Sequence, residues 1–154
     1  MHKKIAVIGG GASGIMAAIT AAEAGAQVTL YEHMKVGKKI LSTGNGKCNL
    51  TNLNLSIKDY NTGDSSKVKA CLESFGVEES LRFFQRIGLM LRDKNGYVYP
   101  YSEQAAMVVQ VLLNHVNHLG ISIVQKHVKH IGISKNSKSY HSVWLETEEG
   151  KKDF

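Results

Sequence analysis

The sequence of 154 residues is poor in cysteine and proline, and it lacks a long apolar run. Its two cysteines, Cys48 and Cys71, do not form a C-x-x-C pair. This spacing argues against a disulfide framework or a zinc site and fits a reducing cytoplasm. No stretch of about 18 apolar residues occurs, so nothing predicts a membrane span. We therefore expect a cytoplasmic protein with no metal site and no membrane partner.

The chain also lacks a concentrated basic stripe, although its net charge is +6. The lysines are scattered and are not interleaved with aromatic residues, so we expect no nucleic-acid partner. A hydrophobic content of 43% is typical of a soluble globular protein. The positive charge could still reflect an anionic cofactor or an acidic partner, although a solvated basic surface is the commoner explanation. The sequence leaves the oligomeric state open.

The first thirty residues contain the clearest pattern. A short apolar strand at Lys4–Ile8 leads directly into the glycine loop Gly9–Gly14, which has the form G-x-G-x-x-G. An alanine-rich helix follows from Ile15 to Ala24, and a second strand, Gln27–Tyr31, ends at Glu32. This order of strand, loop, helix, strand and terminal acid is that of a dinucleotide-binding βαβ unit.

Each residue of this pattern has a physical role in holding a dinucleotide. Gly9 permits the turn, Gly11 lets the backbone approach a pyrophosphate, and Gly14 lets the helix pack close to the strand. Glu32 can accept hydrogen bonds from a ribose diol, which favours FAD or NAD over NADP. The alternative interpretation is a glycine-rich turn in an ordinary βαβ unit.

The rest of the chain predicts a mixture of helices and antiparallel strands. Residues 33–61 read as a long polar loop whose glycines, around Gly44 and Gly46, could form anion-binding nests. The alternatives are a solvent-exposed loop and a linker to a second lobe. The Asn95-Gly96 turn predicts a hairpin. The predicted elements after the loop are helices at 65–75, 78–87 and about 105–119, strands at 89–92, 97–99, 121–124, 128–134 and 141–147, and a polar connection at 135–139.

Two further expectations concern the helical part. Val68, Cys71, Leu72 and Phe75 repeat at helical spacing, which predicts a buried apolar face with Cys71 in the core. Ser102 resembles a helix N-cap, with Glu103 in the first turn that follows.

The element order predicts an α/β fold. We expect a Rossmann-like FAD/NAD(P)-binding domain, with a parallel sheet, helices and an antiparallel β-ribbon. A simple alternating domain would have continued βαβ after Glu32, whereas this chain makes a mainly helical excursion at about 53–100. Residues 1–154 are predicted to form the N-terminal part of one such domain.

Three segments of the sequence resemble a known family. They are Gly9–Gly14 with Glu32, Gly37–Asn52, and Gly96–Ser102. The second is similar to the signature G-R-K-I-L-x-S-G-G-G-R-C-N-x-T-N, and the third to G-R-x-F-P-x-S. On these motifs the chain resembles the N-terminal part of bacterial flavoproteins of the BaiN type, which are NAD(P)/FAD-dependent oxidoreductases.

The resemblance implies FAD bound along the glycine loop, with Ser13 at the pyrophosphate and Glu32 at the adenosine ribose. It implies that the loop from Thr43 to Asn49 runs near the pyrophosphate and flavin, and that the main chain of Val128 contacts adenine. The expected cofactor-binding residues are Gly9, Gly11, Ala12, Ser13, Gly14, Glu32, Lys38, Lys39, Thr43, Gly44, Gly46, Asn49 and Val128.

The implied function is the FAD-binding portion of an oxidoreductase that passes hydride from NAD(P)H through FAD to a small organic substrate. The alternative is a non-catalytic, truncated dinucleotide-binding module. No catalytic acid or base is assigned. Cys48 could be a reactive thiol beside lysines, but a small buried residue under the motif loop is the favoured interpretation.

Overall fold

The computed structural model describes residues 3–135 and 141–153, so most of the polar connection predicted at 135–139 lies outside the described residues. The chain divides into two compact units. The first unit contains residues 1–39 and 113–154, and the second contains residues 40–112. The second unit thus includes both the predicted excursion at 53–100 and most of the Gly37–Asn52 motif. The single-domain assignment itself stays a prediction.

The first unit is built on a three-stranded parallel sheet. Its strands are β1 (Lys4–Ile8), β2 (Gln27–Tyr31) and β6 (Ser122–Val124), and their spatial order is β1-β2-β6. Strand β6 is the predicted third parallel strand. Ile8 pairs with Tyr31, and Tyr31 pairs with Val124. The carboxyl ends of all three strands therefore meet at one edge of the sheet.

Helix α1 (Ala12–Glu23) connects β1 to β2. Its buried residues are Ile15, Ala18 and Ile19, which recur at positions i, i+3 and i+4 and are all fully inaccessible. Leu30 of β2 is also fully buried. Burial of each large aliphatic side chain contributes roughly 1.5–3 kcal/mol, so this stripe is what fixes the helix.

A second sheet in the first unit is antiparallel, with strand order β7-β8-β9. Its strands are β7 (His130–Lys135), β8 (His141–Thr147) and β9 (Gly150–Asp153). The predicted ribbon is present, but β7 begins at His130 and not at Val128. Val128 therefore lies in the connection between β6 and β7.

The second unit contains short helices and a small antiparallel sheet. The chain enters it through α2 (Lys38–Ser42) and leaves it through α5 (Ala105–His118). Between them lie α3 (Ser65–Ser74) and α4 (Val77–Arg86), and the sheet order is β3-β5-β4. The strands are β3 (Thr51–Asn52), β4 (Leu91–Lys94) and β5 (Tyr97–Pro100).

The predicted hairpin is confirmed in β4 and β5. Asn95 and Gly96 have φ values of 56° and 86°, as a type I′ turn requires at both central positions. The strands reach closer to this turn than expected, since β4 continues to Lys94. Strand β3, which pairs with β5, was not predicted because two residues give no periodic signal.

The apolar face predicted on α3 is not buried. Among residues 65–74, all of which the structure describes, none is buried, and Cys71 and Phe75 are exposed. The prediction that Cys71 lies in the core was therefore wrong. The spacing of apolar residues predicts a helix correctly, but it does not specify which element covers the apolar face.

Two boundaries also differ from the expectations. The segment 33–61 is not a continuous loop, because it holds α2, β3 and two 3₁₀ turns. Helix α5 begins at Ala105, so Ser102 is not its N-cap. Glu103 has a φ of 51°, in the left-handed region, and a residue in this conformation cannot belong to the first turn of an α-helix.

Candidate nucleotide-binding site

The candidate site lies at the carboxyl edge of the parallel sheet in the first unit. The main chain extends the sheet ladder here, since Gly9 N–H donates to the Tyr31 carbonyl at 2.8 Å and Glu32 N–H to the Val124 carbonyl at 3.1 Å. Gly9 has a φ of 103°, which turns the chain from β1 toward α1. This edge is where open α/β sheets bind their ligands.

Gly11 and Gly14 have different surroundings. A Cβ atom placed on Gly14 would lie 1.8 Å from the carbonyl oxygen of Gly9, so helix and strand pack too closely for a side chain there. A Cβ atom on Gly11 would meet nothing within 4 Å. Both predicted roles fit these environments: Gly14 permits close packing, and Gly11 leaves open space next to the backbone.

Gly11 is also the N-cap residue of α1, with an extended backbone (φ −77°, ψ −176°) and no side-chain hydrogen bond to the cap. Ala12 and Ser13 form the first turn, which contains no acidic residue. The first N–H groups of a helix lack intrahelical partners and lie at the positive end of its dipole. The open space beside Gly11 therefore suits an anion.

Glu32 is held by the backbone of two neighbouring segments. Gly10 N–H donates to Oε2 at 2.8 Å, and Met34 N–H donates to Oε1 at 2.8 Å. The Met34 hydrogen bond, with help from Gly10 and His33 and against the opposing effect of burial, holds the pKa of Glu32 below its usual value. The carboxylate is thus ionised at neutral pH. Two carboxylate oxygens offer about four acceptor sites. Gly10, Met34 and the His33 ring already lie at three of them, so about one site is left for a further donor.

A cavity of about 240 Å³ opens beside this carboxylate. It is lined by residues from all three strand ends, including Gly9, Glu32, His33, Lys126, His127 and Val128. The structure therefore brings the predicted residues Gly9, Glu32 and Val128 together. His33, Lys126 and His127 were missed, although each follows a strand that ends at this edge, and that position is itself a usable signal.

Charge at the cavity is mixed. The Lys126 ammonium pairs with the Glu149 carboxylate. The His33 Nδ1 lies 3.1 Å from Glu32 Oε1. Burial raises the pKa of Tyr31, and the nearby Lys126 partly opposes this, so the phenol is neutral. The wall thus offers both a hydrogen-bond acceptor and flat rings to a ligand.

Lys38 and Lys39 follow a segment that is tied to the glycine loop. Gly37 N–H donates to the Gly10 carbonyl at 2.7 Å. Both lysine side chains are exposed, and the Lys38 Nζ lies 3.6 Å from the sulfur of Met34. Contact of these lysines with a cofactor stays a prediction.

The remaining predicted residues, Thr43, Gly44, Gly46 and Asn49, belong to the second unit. Gly44, Asn45, Gly46 and Cys48 all have positive φ values. The N–H groups of Lys47 and Cys48 donate to the carbonyls of Gly44 and Thr43 at 3.1 and 3.3 Å. Those two donors hold the loop itself, and the anion-binding role of this loop stays a prediction.

Cys48 is a buried residue under this loop, as the favoured interpretation predicted. It is 7% exposed, and burial raises its pKa, with a hydrogen bond to Thr43 opposing the shift. A raised pKa keeps the thiol protonated at neutral pH. This environment is the opposite of that of an activated thiolate.

An ion-pair network in the second unit connects two of the motif segments. The Glu103 carboxylate lies 3.4 Å from Lys47 Nζ and 3.1 Å from Arg92 Nη1. Lys47 belongs to the Gly37–Asn52 motif, and Glu103 follows the Gly96–Ser102 motif directly. Glu103 thus adopts its left-handed conformation at a point where its side chain contacts both the Gly37–Asn52 motif and strand β4.

Metal-binding groups and membrane-spanning helices are the other features that bear on function. Within residues 3–135 and 141–153, no group of three histidine, cysteine, aspartate or glutamate side chains is placed to hold a metal ion. His115 and His118 stack with ring centroids 6.2 Å apart, and His115 Nε2 lies 3.1 Å from Glu23. In the same part of the chain, no helix combines the length and apolarity needed to cross a bilayer.

Solved structures share the fold. Thermovibrio ammonificans THI4 matches with a TM-score of 0.59 and 14% identity, over 95% of this chain and 48% of that protein. The Diels-Alderase PyrE3 matches with a TM-score of 0.52 and 16% identity, over 98% of this chain and 30% of that one. At such identities the likeness concerns the fold alone. It confirms the predicted α/β fold.

Relatives at the sequence level are more informative. A 3-dehydro-bile acid delta(4,6)-reductase of Clostridium scindens is 47% identical over 112 residues, covering 71% of this chain and 27% of that protein. A ribosomal RNA dihydrouridine synthase of Haemophilus influenzae is 29% identical over 119 residues, covering 77% of this chain and 30% of that protein. The chain thus spans less than a third of the length of these relatives.

A family model settles the assignment. It matches residues 3–152, which is nearly the whole chain, and its description is the HI0933-like protein Rossmann domain. The match and the reductase relative confirm the resemblance to BaiN-type flavoproteins that the three motifs indicated. The glycine loop, the acid at the end of β2 and the strand order described above are the features of such a domain. The chain belongs to the HI0933-like Rossmann domain family.

Proposed function

We propose that this chain is the FAD-binding portion of a flavin-dependent oxidoreductase that passes hydride from NAD(P)H to a small organic substrate. The observation that carries the proposal is the edge of the parallel sheet. There the open space at Gly11, the N-terminus of α1, the ionised Glu32 and the Val128 cavity lie side by side. Each of these features suits a different part of a dinucleotide.

The adenosine end fits the cavity. Glu32 would accept hydrogen bonds from the ribose hydroxyls, and the main chain of Val128 would face the base. At about 240 Å³ the cavity is smaller than the roughly 300–1,000 Å³ of sites that enclose a drug-sized ligand. It therefore suits one nucleoside and not a whole dinucleotide.

The pyrophosphate fits the junction of the loop and the helix. N–H groups of Ala12 and Ser13 would donate to phosphate oxygens, and the helix dipole would favour the negative charge. A glycine at position 11 is needed because a side chain would occupy the open space. The absence of an acidic residue from the first turn of α1 removes a source of repulsion.

When bound, a flavin supplies the redox chemistry, and the protein supplies binding and orientation. The relatives support an oxidoreductase, because one is named as a reductase and the other as a dihydrouridine synthase. Their names point to different substrates, a bile acid for the first and ribosomal RNA for the second, and we propose a small organic substrate because the first relative has the higher identity, 47% against 29%. The activity belongs to the proposal, since the chain spans less than a third of either relative.

The experiment is a titration of the purified chain with FAD, in which binding is measured as quenching of the flavin fluorescence. Glu32→Ala should weaken binding about tenfold or more, because hydrogen bonds to a charged group contribute roughly 1.5–3 kcal/mol. Glu73→Ala is the matched control, since Glu73 is an exposed acid on α3. Equal affinity of wild type and Glu32→Ala would contradict the assignment of Glu32 to the ribose.

NADH oxidation, measured on the same samples, separates the two functions that the sequence left open. Oxidation that requires bound FAD would support the oxidoreductase. Tight FAD binding with no oxidation by this chain would support a binding module. The variant Gly11→Trp, which fills the open space at the loop, is the control for both measurements.

A further inference from the structure

Two imidazole rings form one wall of the cavity. His33 follows β2 and His127 follows β6, yet their ring centroids lie 5.2 Å apart with an angle of 41° between the planes. Both residues line the cavity beside Glu32 and Val128. Two strand ends thus contribute a continuous aromatic surface that neither segment offers alone.

One ring of this wall, that of His33, lies beside Glu32. The carboxylate lies 3.1 Å from Nδ1 of His33, and Gly10 and Met34 hold the carboxylate itself. Under the proposed function the same carboxylate binds the ribose, so the base on that ribose must lie within a few ångströms of the His33 ring. His127 is adjacent in sequence to Val128, whose main chain is expected to face the base.

Aromatic side chains bind nucleobases by stacking, since every base has a flat π face. The two rings are too close together to hold a base between them, because a sandwich would need two stacking distances. Because the two ring planes differ by 41°, a flat base would stack on the face of one ring and meet the other ring at its edge, both of which are favourable aromatic geometries. Lys126 at the rim is paired with Glu149, which reduces its availability as a phosphate ligand.

We propose that His33 and His127 are the adenine-recognition residues of this site and act by stacking on the base. The inference rests on the proposed function, because it concerns the same cofactor. It adds two residues and a contact that the motifs did not indicate. It also implies that adenine dinucleotides are favoured over flavin mononucleotide, which lacks the adenosine that would occupy this cavity.

The test compares FAD and ADP binding to the whole chain by calorimetry. The double variant His33→Ala/His127→Ala should bind both ligands about tenfold more weakly than wild type, and by the same factor. His118→Ala is the matched control, because it removes one ring of a histidine pair outside the cavity. A loss for FAD with none for ADP would overturn the proposal, since ADP contains the base.

Two substitutions distinguish stacking from charge. His127→Phe keeps a flat ring and should retain most of the affinity, whereas His127→Lys introduces a cation without a ring and should not. Rescue by lysine and not by phenylalanine would overturn stacking in favour of phosphate attraction. Unchanged melting temperatures should accompany all variants, since both histidines are exposed.

The outcomes also separate this inference from the proposed function. Wild-type chain that binds neither FAD nor ADP would contradict the proposed function itself. Wild-type chain that binds both, with the double histidine variant equal to it, would contradict only the role of the histidines.

Discussion

The two units of the chain hold their functional segments in different ways. In the first unit, the glycine loop and Glu32 continue a parallel sheet whose register is fixed by backbone pairs and by the buried side chains of α1. In the second unit, the loop at 43–49 passes through left-handed conformations, and helix α3 buries no residue. The first arrangement is set by close packing, and the second by local turns and ion pairs.

The difference teaches where a short motif is informative. Gly14 is required because the Gly9 carbonyl lies next to it, five positions away in the same motif. The sequence therefore predicts the role of such a glycine directly. A loop held by Glu103, Lys47 and Arg92 depends on residues far apart in the chain. Four experiments on this chain would test this contrast, and their expected effects range from a large loss of stability to a small pH dependence.

The strongest expected effect is the loss of stability in Gly14→Ala. The new Cβ would lie 1.8 Å from the Gly9 carbonyl oxygen, and overpacking of this kind costs roughly 1–3 kcal/mol or more. Gly11→Ala is the control: it has open space and should cost no more than about 1 kcal/mol, as a change of N-cap residue. Thermal denaturation of the pair measures the difference, and equal melting temperatures would contradict the packing role of Gly14.

The two cysteines should differ in reactivity by about tenfold or more. Cys71 is exposed, whereas Cys48 is buried with a raised pKa, and only the thiolate reacts with disulfide reagents. At pH 7.5 one thiol of the native protein should react quickly, and Cys71→Ser should remove that fast phase. In denaturant, both thiols should react quickly. A fast thiol that persists in Cys71→Ser would show that Cys48 is accessible.

Two substitutions of Glu103, which has a left-handed conformation, should change the free energy of unfolding by smaller amounts that differ from each other. Glu103→Ala removes the ion pairs to Lys47 and Arg92, which are partly exposed and contribute about 0–1 kcal/mol, and it keeps the strain. Glu103→Gly removes the same pairs but relieves a strain of roughly 1 kcal/mol. Urea unfolding should therefore rank glycine above alanine. The reverse order would contradict the φ of 51°.

The weakest effect is the pH dependence that Glu32 adds to stability. Its pKa is lowered in the folded chain, so the unfolded state binds the proton more tightly. The stabilisation is complete above the ordinary glutamate pKa of about 4.3 and is lost as the pH falls through the folded value. Glu32→Gln should flatten the acid side of the stability profile. A profile unchanged by this substitution would mean that Glu32 has an ordinary pKa.

Much of the fold was readable from the sequence, for reasons that particular residues show. The strands at β1, β2 and β6, the I′ turn at Asn95-Gly96 and the βαβ glycines carry signals within a few residues of the structure they specify. Cys71 was misassigned because periodicity does not tell which surface covers a helix. Ser102 was misassigned because the left-handed Glu103 after it delays the helix.

The candidate site likewise contains some residues that the sequence indicates and others that it does not. Gly9, Gly11, Gly14 and Glu32 follow from one continuous motif, whereas the histidine wall arises only when β2 and β6 become neighbours. His33 and His127 are 94 positions apart in the sequence, and no local pattern joins them. Strand order, and not residue type, places these rings together.

The most direct test of the central claim is whether the purified chain retains flavin through gel filtration, measured from its visible absorption spectrum alongside Gly11→Val. The account predicts a flavin band that co-elutes with the wild-type chain and is lost from the variant, because a side chain at position 11 fills the space beside the N-terminus of α1. Circular dichroism should show that both proteins are folded. A folded Gly11→Val chain that retains flavin as well as wild type, or a folded wild-type chain that retains none, would contradict it.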